Sequence, residues 1–492
     1  MNVKQLFPEF KAKLDGKLLN LAIQGISCDS RTVSKNYIFV AIEGAILDAR
    51  AFIPQAIKKG ARVVIRKSKN NHKKIKVLDG VLFIDTPNPR KTLSELSAKI
   101  FQHPSDNLKA IGITGTNGKT TVSYILEEIL SSAGFNTGLI GTINYRFKHA
   151  KKPSINTTPG PVQVQSMLAS MVKSKTDYCL MEVSSHALDQ NRVNDINFYA
   201  AIFTNLTRDH LDYHQTIDRY FSAKAKLFRN LSKKSIAVVN RDDPFAKRLI
   251  RLTPAKIISY GLSKESDVSA QDIEITYSGT NLCIQTPEGM LPIRTRLIGF
   301  HNVYNILAAV SLCLREAIDF DIIQEALYRF RGTPGRLESV DCGQAFRVLV
   351  DYAHTDDALE NVLRSLRAID KRKIILVFGC GGDRDKTKRP KMGRIATQLA
   401  DSVIITNDNP RSENPRDIVC DIKKGVTANN YHVIFDRSKA IEKALSLARE
   451  TDVVLIAGKG HETKQILKSK VMAFDDRKEA KRILRCLPSK KY

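Results

Sequence analysis

Apolar and polar positions alternate along this chain in two rhythms, one of strands and one of helices. Runs at 110–113, 179–183, 200–204 and 236–239 are apolar at nearly every position. Such runs predict strands covered on both faces, and the helical spacing between them predicts crossover helices on a parallel sheet. Upstream, 38–42, 61–65 and 81–84 are shorter strand-like runs in a mixed segment that Pro87, Pro89 and Pro104 punctuate. The polar stretch 263–292 predicts an antiparallel excursion, and helical spacing returns at 305–317 and 322–330. Gly332-Thr333-Pro334-Gly335 is a turn signal. Beyond it the alternation restarts at 348–350, 374–378, 402–406, 432–435 and 453–457, the pattern of a second, Rossmann-type unit. The expected fold class is α/β in three domains: a small α/β unit at 1–104, a parallel-sheet unit at 105–333 and a Rossmann-like unit at 334–492.

Length agrees, since 492 residues at roughly 150 per domain make three. The composition, 42% hydrophobic and 26% charged, is that of a globular protein rather than a disordered or fibrous one. Residues 1–10 lack the charged-then-apolar pattern of a signal peptide, and no apolar run approaches the ~20 residues that span a bilayer. A cytoplasmic protein without membrane insertion is expected. The eight cysteines form no C-x-x-C pair, which argues against a zinc site or a disulfide framework; most are expected as small core residues. The net charge of +27 raises the question of a polyanionic partner. The charge is spread along the chain, with modest clusters at 386–391 and 482–491 and no aromatic–basic interleaving. Anionic small substrates are therefore expected rather than nucleic acid.

The strand at 110–113 runs into Thr114-Gly115-Thr116-Asn117-Gly118-Lys119-Thr120-Thr121. A helix follows, with Val122, Ile125, Leu126, Ile129, Leu130 and Ala133 on one face and Gly134 at its stop. Strand, glycine-rich turn and helix are the context of a phosphate-binding loop. Glycines let backbone N–H groups approach phosphate oxygens, and the helix N-terminus adds partial positive charge. Lys119 would reach the β- and γ-phosphates, and the Thr120 hydroxyl would ligate Mg²⁺. Ile113 replaces the first glycine of the strict G-x-x-x-x-G-K-[ST] pattern.

The run Gly115 to Thr121 resembles the ATP loop of the Mur ligase family. Further segments match that family in order along nearly the whole chain. They include Asp29-Ser30-Arg31, Asn156-Thr157-Thr158-Pro159, Glu182-Val183-Ser184-Ser185-His186, the stretch 204–212 and Tyr220-Phe221-Ser222-Ala223-Lys224. The order continues with 299–305, Pro334-Gly335-Arg336, Asp351-Tyr352-Ala353-His354 and Gly381-Gly382-Asp383-Arg384. Asp408-Asn409-Pro410-Arg411 resembles the signature of those members that add diaminopimelate rather than lysine.

The resemblance implies an ATP-dependent ligase of peptidoglycan precursor synthesis. It would join meso-2,6-diaminopimelate to the D-glutamyl carboxylate of UDP-N-acetylmuramoyl-L-alanyl-D-glutamate through an acyl phosphate. The N-terminal unit would bind the uridine nucleotide, the central unit ATP and the C-terminal unit the amino acid. Lys119, Glu182, His210 and Lys224 would be catalytic. Asn302 and Arg336 would join residues 115–121 around ATP. Thr120, Glu182, His210 and a CO₂-derived carbamate on Lys224 would hold Mg²⁺. Ser30, Thr157, Thr158, Ser184, Gln190 and Arg192 would bind the muramoyl dipeptide nucleotide. Arg384, Asp408, Asn409, Pro410, Arg411, Gly458 and Glu462 would bind diaminopimelate. A monomer is expected.

Physical arguments stand beside these carried-over roles. Glu182 ends a buried strand, where a carboxylate needs a partner, either backbone donors or a metal. Carbamylation requires a neutral amine, so Lys224 would need a lowered pKa. Arg411 can grip the carboxylate that distinguishes diaminopimelate from lysine, and lysine would leave that guanidinium unpaired. Two departures from the family pattern are Asp356, where proline is usual, and the stretch 43–50. The rival readings are a folylpolyglutamate synthetase, which the Asp408–Arg411 run and Asp29-Ser30-Arg31 disfavour, and an ATPase acting on nucleic acid.

Overall fold

The computed structural model describes residues 1–44, 48–69, 72–148, 150–468 and 470–486. The centre of the divergent stretch 43–50 and the end of the basic tail at 482–491 lie outside the described residues. Sheets of five, eleven and six strands follow one another along the chain.

The first sheet orders Gly25–Ser27, Tyr37–Val40, Ala61–Lys67, Val81–Thr86 and Lys74–Leu78. Its last strand is antiparallel and exposed, and its lysines blunt an edge that would otherwise pair with another chain. Helix Pro89–Ile100 leaves this sheet and packs on helix Pro161–Lys173 of the next unit. Val162 of that second helix joins the apolar core of the first unit.

In the central sheet Phe198–Phe203, Lys109–Thr114, Tyr178–Glu182 and Thr137–Ile140 run parallel and adjacent. The register sets Glu182 beside Ile113, so the carboxylate leaves the sheet where the phosphate loop begins. Helix Lys119–Ser132 is buried on the sheet and covered by helix Phe300–Arg315. The expected antiparallel excursion is the meander Val268–Thr276, Gly279–Thr286 and Gly289–Thr295 at the sheet's far edge.

The third sheet orders Glu338–Ser339, Arg347–Asp351, Val453–Ala457, Ile374–Phe378, Ser402–Ile405 and Tyr431–Val433, parallel except for the first. A small hairpin, Lys464–Leu467 with Lys470–Ala473, stands apart. Sequence periodicity missed this hairpin and Thr137–Ile140, because strands of four residues leave too few positions for a rhythm. The cysteine expectation is also corrected: Cys179, Cys313 and Cys380 are buried, whereas Cys28, Cys342, Cys420 and Cys486 are exposed. Among the described residues no helix is long and apolar enough to cross a membrane.

The third unit is anchored by one fully buried ion pair. Arg437 grips both oxygens of Asp476 at 2.7 Å and also donates to the Ala457 and Asn407 carbonyls. Asp476→Ala leaves that guanidinium unpaired, at an expected cost of roughly 3–5 kcal/mol. The loss should appear as an early urea transition by tryptic susceptibility of the C-terminal unit, and an unchanged midpoint would refute it.

Candidate active site

The site is built at the C-terminal ends of the parallel strands, where loops converge. Two glycines shape the phosphate loop. Gly115 has φ +154°, and a Cβ there would meet Thr204 Oγ1 at 1.8 Å. Gly118 has φ +86°, and a Cβ there would fall 2.4 Å from Asn305 Oδ1. Thr204 Oγ1 donates to the Asn117 carbonyl at 2.6 Å, and Asn117 N–H donates to Asn205 Oδ1 at 2.9 Å. The loop is thus clamped from the strand Phe198–Phe203 and the residues after it.

Beneath the loop lies Glu182, fully buried. Its carboxylate accepts from Thr120 Oγ1, Thr142 Oγ1 and Thr142 N–H, each at 2.8 Å. Three donors satisfy a group that burial would otherwise penalise. Two lysines end close by. Lys119 Nζ donates to the Gly115 and Thr116 carbonyls at 2.9 and 2.8 Å. Lys224 Nζ, almost fully buried, donates to the same Gly115 carbonyl at 2.7 Å and lies over the Tyr220 ring. Burial, then the Lys119 charge, pushes the Lys224 pKa well below its ordinary 10.5. Burial lowers Lys119 as well, against the pull of Glu182.

His210, with φ +53°, opens the short helix Leu211–His214. Its ring stands 4.9 Å from that of His186, and Nε2 is 3.4 Å from Asp209 Oδ2. Burial lowers its pKa despite Asp209. Burial likewise lowers His186, and brings His214 to about 4. Among the described residues no group of three His, Cys, Asp or Glu side chains is arranged as a ready-made metal cage.

Two cavities lie at the site, the first against the loop. One, of about 530 Å³, is lined by Asn117, Gly118, Thr120, Thr121, Asn305 and Arg336 together with aromatic residues. The other, of about 510 Å³, gathers Thr157, Thr158, Ser184, Arg192 and His210. The same cavity is also lined by Arg384, Asp408, Asn409, Arg411, Gly458 and Glu462 from the third unit. Residues far apart in the chain, expected at the dipeptide and at the amino acid, therefore share one chamber. Nine expected site residues line neither cavity: Gly115, Thr116, Lys119, Glu182, Lys224, Pro410, Asn302, Gln190 and Ser30, of which the last three are engaged elsewhere. Asn302 is turned inward to the Ile298 carbonyl and Asn305, leaving Asn305 on the wall. Gln190 accepts two bonds from Arg192 and orients it. Ser30 lies in the first unit, where its hydroxyl donates to Gln55 at 2.7 Å.

The wall around Arg411 is rigid. Arg411 has φ +53°, its N–H donates to Ile466 O, and its carbonyl accepts from Lys468 N–H at 2.7 Å. Its guanidinium donates to the Gly382 carbonyl at 2.7 Å. The Pro410 carbonyl lies against Gly382, where a Cβ would approach it to 1.9 Å. Lys459, fully buried, donates to Asn409 Oδ1, Glu462 Oε2 and the Lys464 carbonyl. Asn409 Nδ2 also donates to Glu462, at 2.8 Å. Glu462 is thus preorganised by two donors.

Sequence reading missed Thr142, Lys459, Asn305 and Asp357. Asp357 accepts from Asn117 Nδ2 at 2.8 Å and from Thr207 Oγ1 at 3.0 Å, tying the third unit to the phosphate loop. Its neighbour Asp356 opens helix Asp356–Ile369 and lies 3.6 Å from Lys391. Proline suits that first helical position through its fixed φ, and aspartate suits it through the helix dipole, so the departure is accommodated.

Comparison with known proteins places this geometry. Residues 22–101 match the model described as Mur ligase family, catalytic domain. Residues 113–313 match the Mur ligase middle domain, and 335–460 the Mur ligase, glutamate ligase domain. A UDP-N-acetylmuramoyl-L-alanyl-D-glutamate–2,6-diaminopimelate ligase from Syntrophomonas wolfei subsp. wolfei is 42% identical over 490 residues, covering 99% of each chain. A solved structure of a ligase with the same name superposes with TM-score 0.71 at 32% identity over 99% of both chains. MurF ligase from Thermotoga maritima, solved with ADP, shares the fold at 17% identity, TM-score 0.61, over 95% of this chain and 98% of that one.

The buried amine of Lys224 has a measurable cost. Between its lowered pKa and 10.5 the unfolded chain holds a proton that the folded chain lacks, so this group's contribution to stability rises with pH. In CO₂-free buffer, Lys224→Met should melt several degrees above the parent at about pH 6, with the gap closing toward about pH 9. A gap that widened with pH would contradict the assignment.

Proposed function

The chain belongs to the Mur ligase family, and on that premise we propose that it is the ATP-dependent ligase that makes the UDP-muramoyl tripeptide of peptidoglycan synthesis. It adds meso-2,6-diaminopimelate to the D-glutamyl carboxylate of UDP-N-acetylmuramoyl-L-alanyl-D-glutamate. One observation carries this reading: the chamber that joins Thr157, Thr158, Ser184 and Arg192 to Arg411 and Glu462 lies beside the phosphate-loop cavity.

ATP enters the first cavity with its phosphates on the loop, where Lys119 exchanges its two carbonyl partners for phosphate oxygens. Arg336 reaches the same cavity from the third unit. The D-glutamyl carboxylate, steered by Arg192 and the threonine hydroxyls, attacks the γ-phosphorus and takes the phosphoryl group. Positioning and charge neutralisation supply most of this catalysis. Diaminopimelate binds opposite, its distal carboxylate on Arg411 and its distal ammonium on Glu462. The amine displaces phosphate from the acyl phosphate.

The donor set fits Mg²⁺. Thr120 Oγ1 and Glu182 Oε2 are hard oxygens 2.8 Å apart, and Mg²⁺ takes few protein ligands when phosphates and water complete its shell. Bound there, it would neutralise developing phosphate charge. His210 and a Lys224 carbamate would join them as ligands. The lowered pKa of Lys224, caused by burial and then by the Lys119 charge, supports that modification, since it favours the neutral amine and a carbamate turns repulsion into attraction. Boundaries near 104 and 333, a monomeric state and a cytoplasmic location complete the reading.

Phosphate release from ATP with UDP-N-acetylmuramoyl-L-alanyl-D-glutamate should require meso-diaminopimelate and fail with L-lysine. Lys119→Ala should abolish it, and Arg411→Ala should lower kcat/KM for diaminopimelate by about 10²–10³-fold, the worth of a paired guanidinium. Equal release with lysine would sink the assignment of Arg411, and no release with either amino acid would sink the reaction.

A further inference from the structure

The incoming amine arrives as an ammonium and needs a base. Most carboxylates around the chamber are committed elsewhere. Glu462 accepts from Lys459 and Asn409, Asp385 from Thr387, and Asp356 is paired with Lys391. His210 is engaged with Asp209.

His354 is different. It lies in the loop between strand Arg347–Asp351 and helix Asp356–Ile369 and lines the chamber with Arg384 and Glu462. Its Nδ1 is 2.9 Å from the Tyr352 carbonyl. A carbonyl only accepts, so Nδ1 carries the hydrogen and Nε2 the lone pair. Among the described residues nothing hydrogen-bonds Nε2. The ring is held in place by packing 4.6 Å from the Tyr352 ring. Lys388 Nζ fixes the loop by donating to the His354 carbonyl at 2.8 Å.

We propose that His354 is the base of the second half-reaction, receiving a proton from the attacking ammonium at Nε2. The proposal rests on the ligase reading above. The ammonium gives one proton to Nε2, and the freed lone pair forms the C–N bond. The acyl C–O bond breaks with its electron pair going to phosphate, which leaves carrying the second nitrogen proton. The charged groups facing His354 are Lys388, Arg336 and, across the chamber, Asp209. Burial, followed by Lys388, holds the resting imidazole at about 4, so its lone pair is free throughout the neutral range. The anionic acyl phosphate would raise its proton affinity at the moment of transfer.

The test separates the two half-reactions. Hydroxylamine is already neutral at mildly alkaline pH and traps an acyl phosphate as hydroxamate without a base. His354→Asn retains a donor for the Tyr352 carbonyl but has no basic nitrogen, and His354→Ala removes both. With ATP, Mg²⁺ and UDP-N-acetylmuramoyl-L-alanyl-D-glutamate, both variants should form hydroxamate within about twofold of the parent. Their kcat with diaminopimelate should fall about 10²–10⁴-fold, the usual worth of a general base. Imidazole should restore part of the His354→Ala rate. Equal losses with both nucleophiles would assign His354 a structural role, and an unchanged diaminopimelate rate in His354→Asn would give the proton to another group. If the parent itself forms no hydroxamate, the ligase reading fails rather than this one.

Discussion

Two lysine side chains end on a single carbonyl oxygen, that of Gly115, and the rest of the site is arranged around that crowding. Positive charge is what a phosphate loop must supply, yet two ammonium groups so close in a buried place repel each other. The fold answers by lowering the pKa of both lysines, Lys224 the further, and by setting a buried carboxylate one strand away. Glu182 holds its position because Thr120 and Thr142 satisfy it from two sides. Burial makes each of these interactions strong and also makes each unpaired group expensive.

The same economy extends to the third unit. Its contact with the loop runs through Asp357, which accepts from Asn117 and Thr207. Arg336 stacks on Tyr352, whose ring also packs against His354 and His461. Arg336 lines the cavity at the phosphate loop, whereas Tyr352 and His354 line the chamber, so this cluster links the two.

The selectivity proposed for Arg411 would rest on rigidity rather than on charge alone. The chain carries +27 net charge, so cations are plentiful and a lone arginine specifies little. Arg411 differs because the hairpin Lys464–Leu467 with Lys470–Ala473 pins its backbone. Buried Lys459 pins the neighbouring Asn409 and Glu462. Groups held in place lose little entropy on binding and leave a wrong ligand's partners unsatisfied.

Much of this protein was legible in the sequence. Strand and helix rhythms located most elements of the second and third sheets, because burial on a sheet or along a helix face imposes a local period. The phosphate loop was legible because Gly115 and Gly118 occupy backbone conformations that other residues avoid. Motifs singled out Glu182, Lys224 and Arg411 as residues. Only the tertiary structure decided how they act together. Thr142 reaches Glu182 across 40 residues, Lys224 reaches Gly115 across 109, and Asp357 reaches Asn117 across 240. The tautomer of His354 and the lowered pKa of Lys224 likewise follow from neighbours brought by folding. A local pattern fixes what a segment becomes; a charge state or a shared chamber depends on distances that only the packed chain sets.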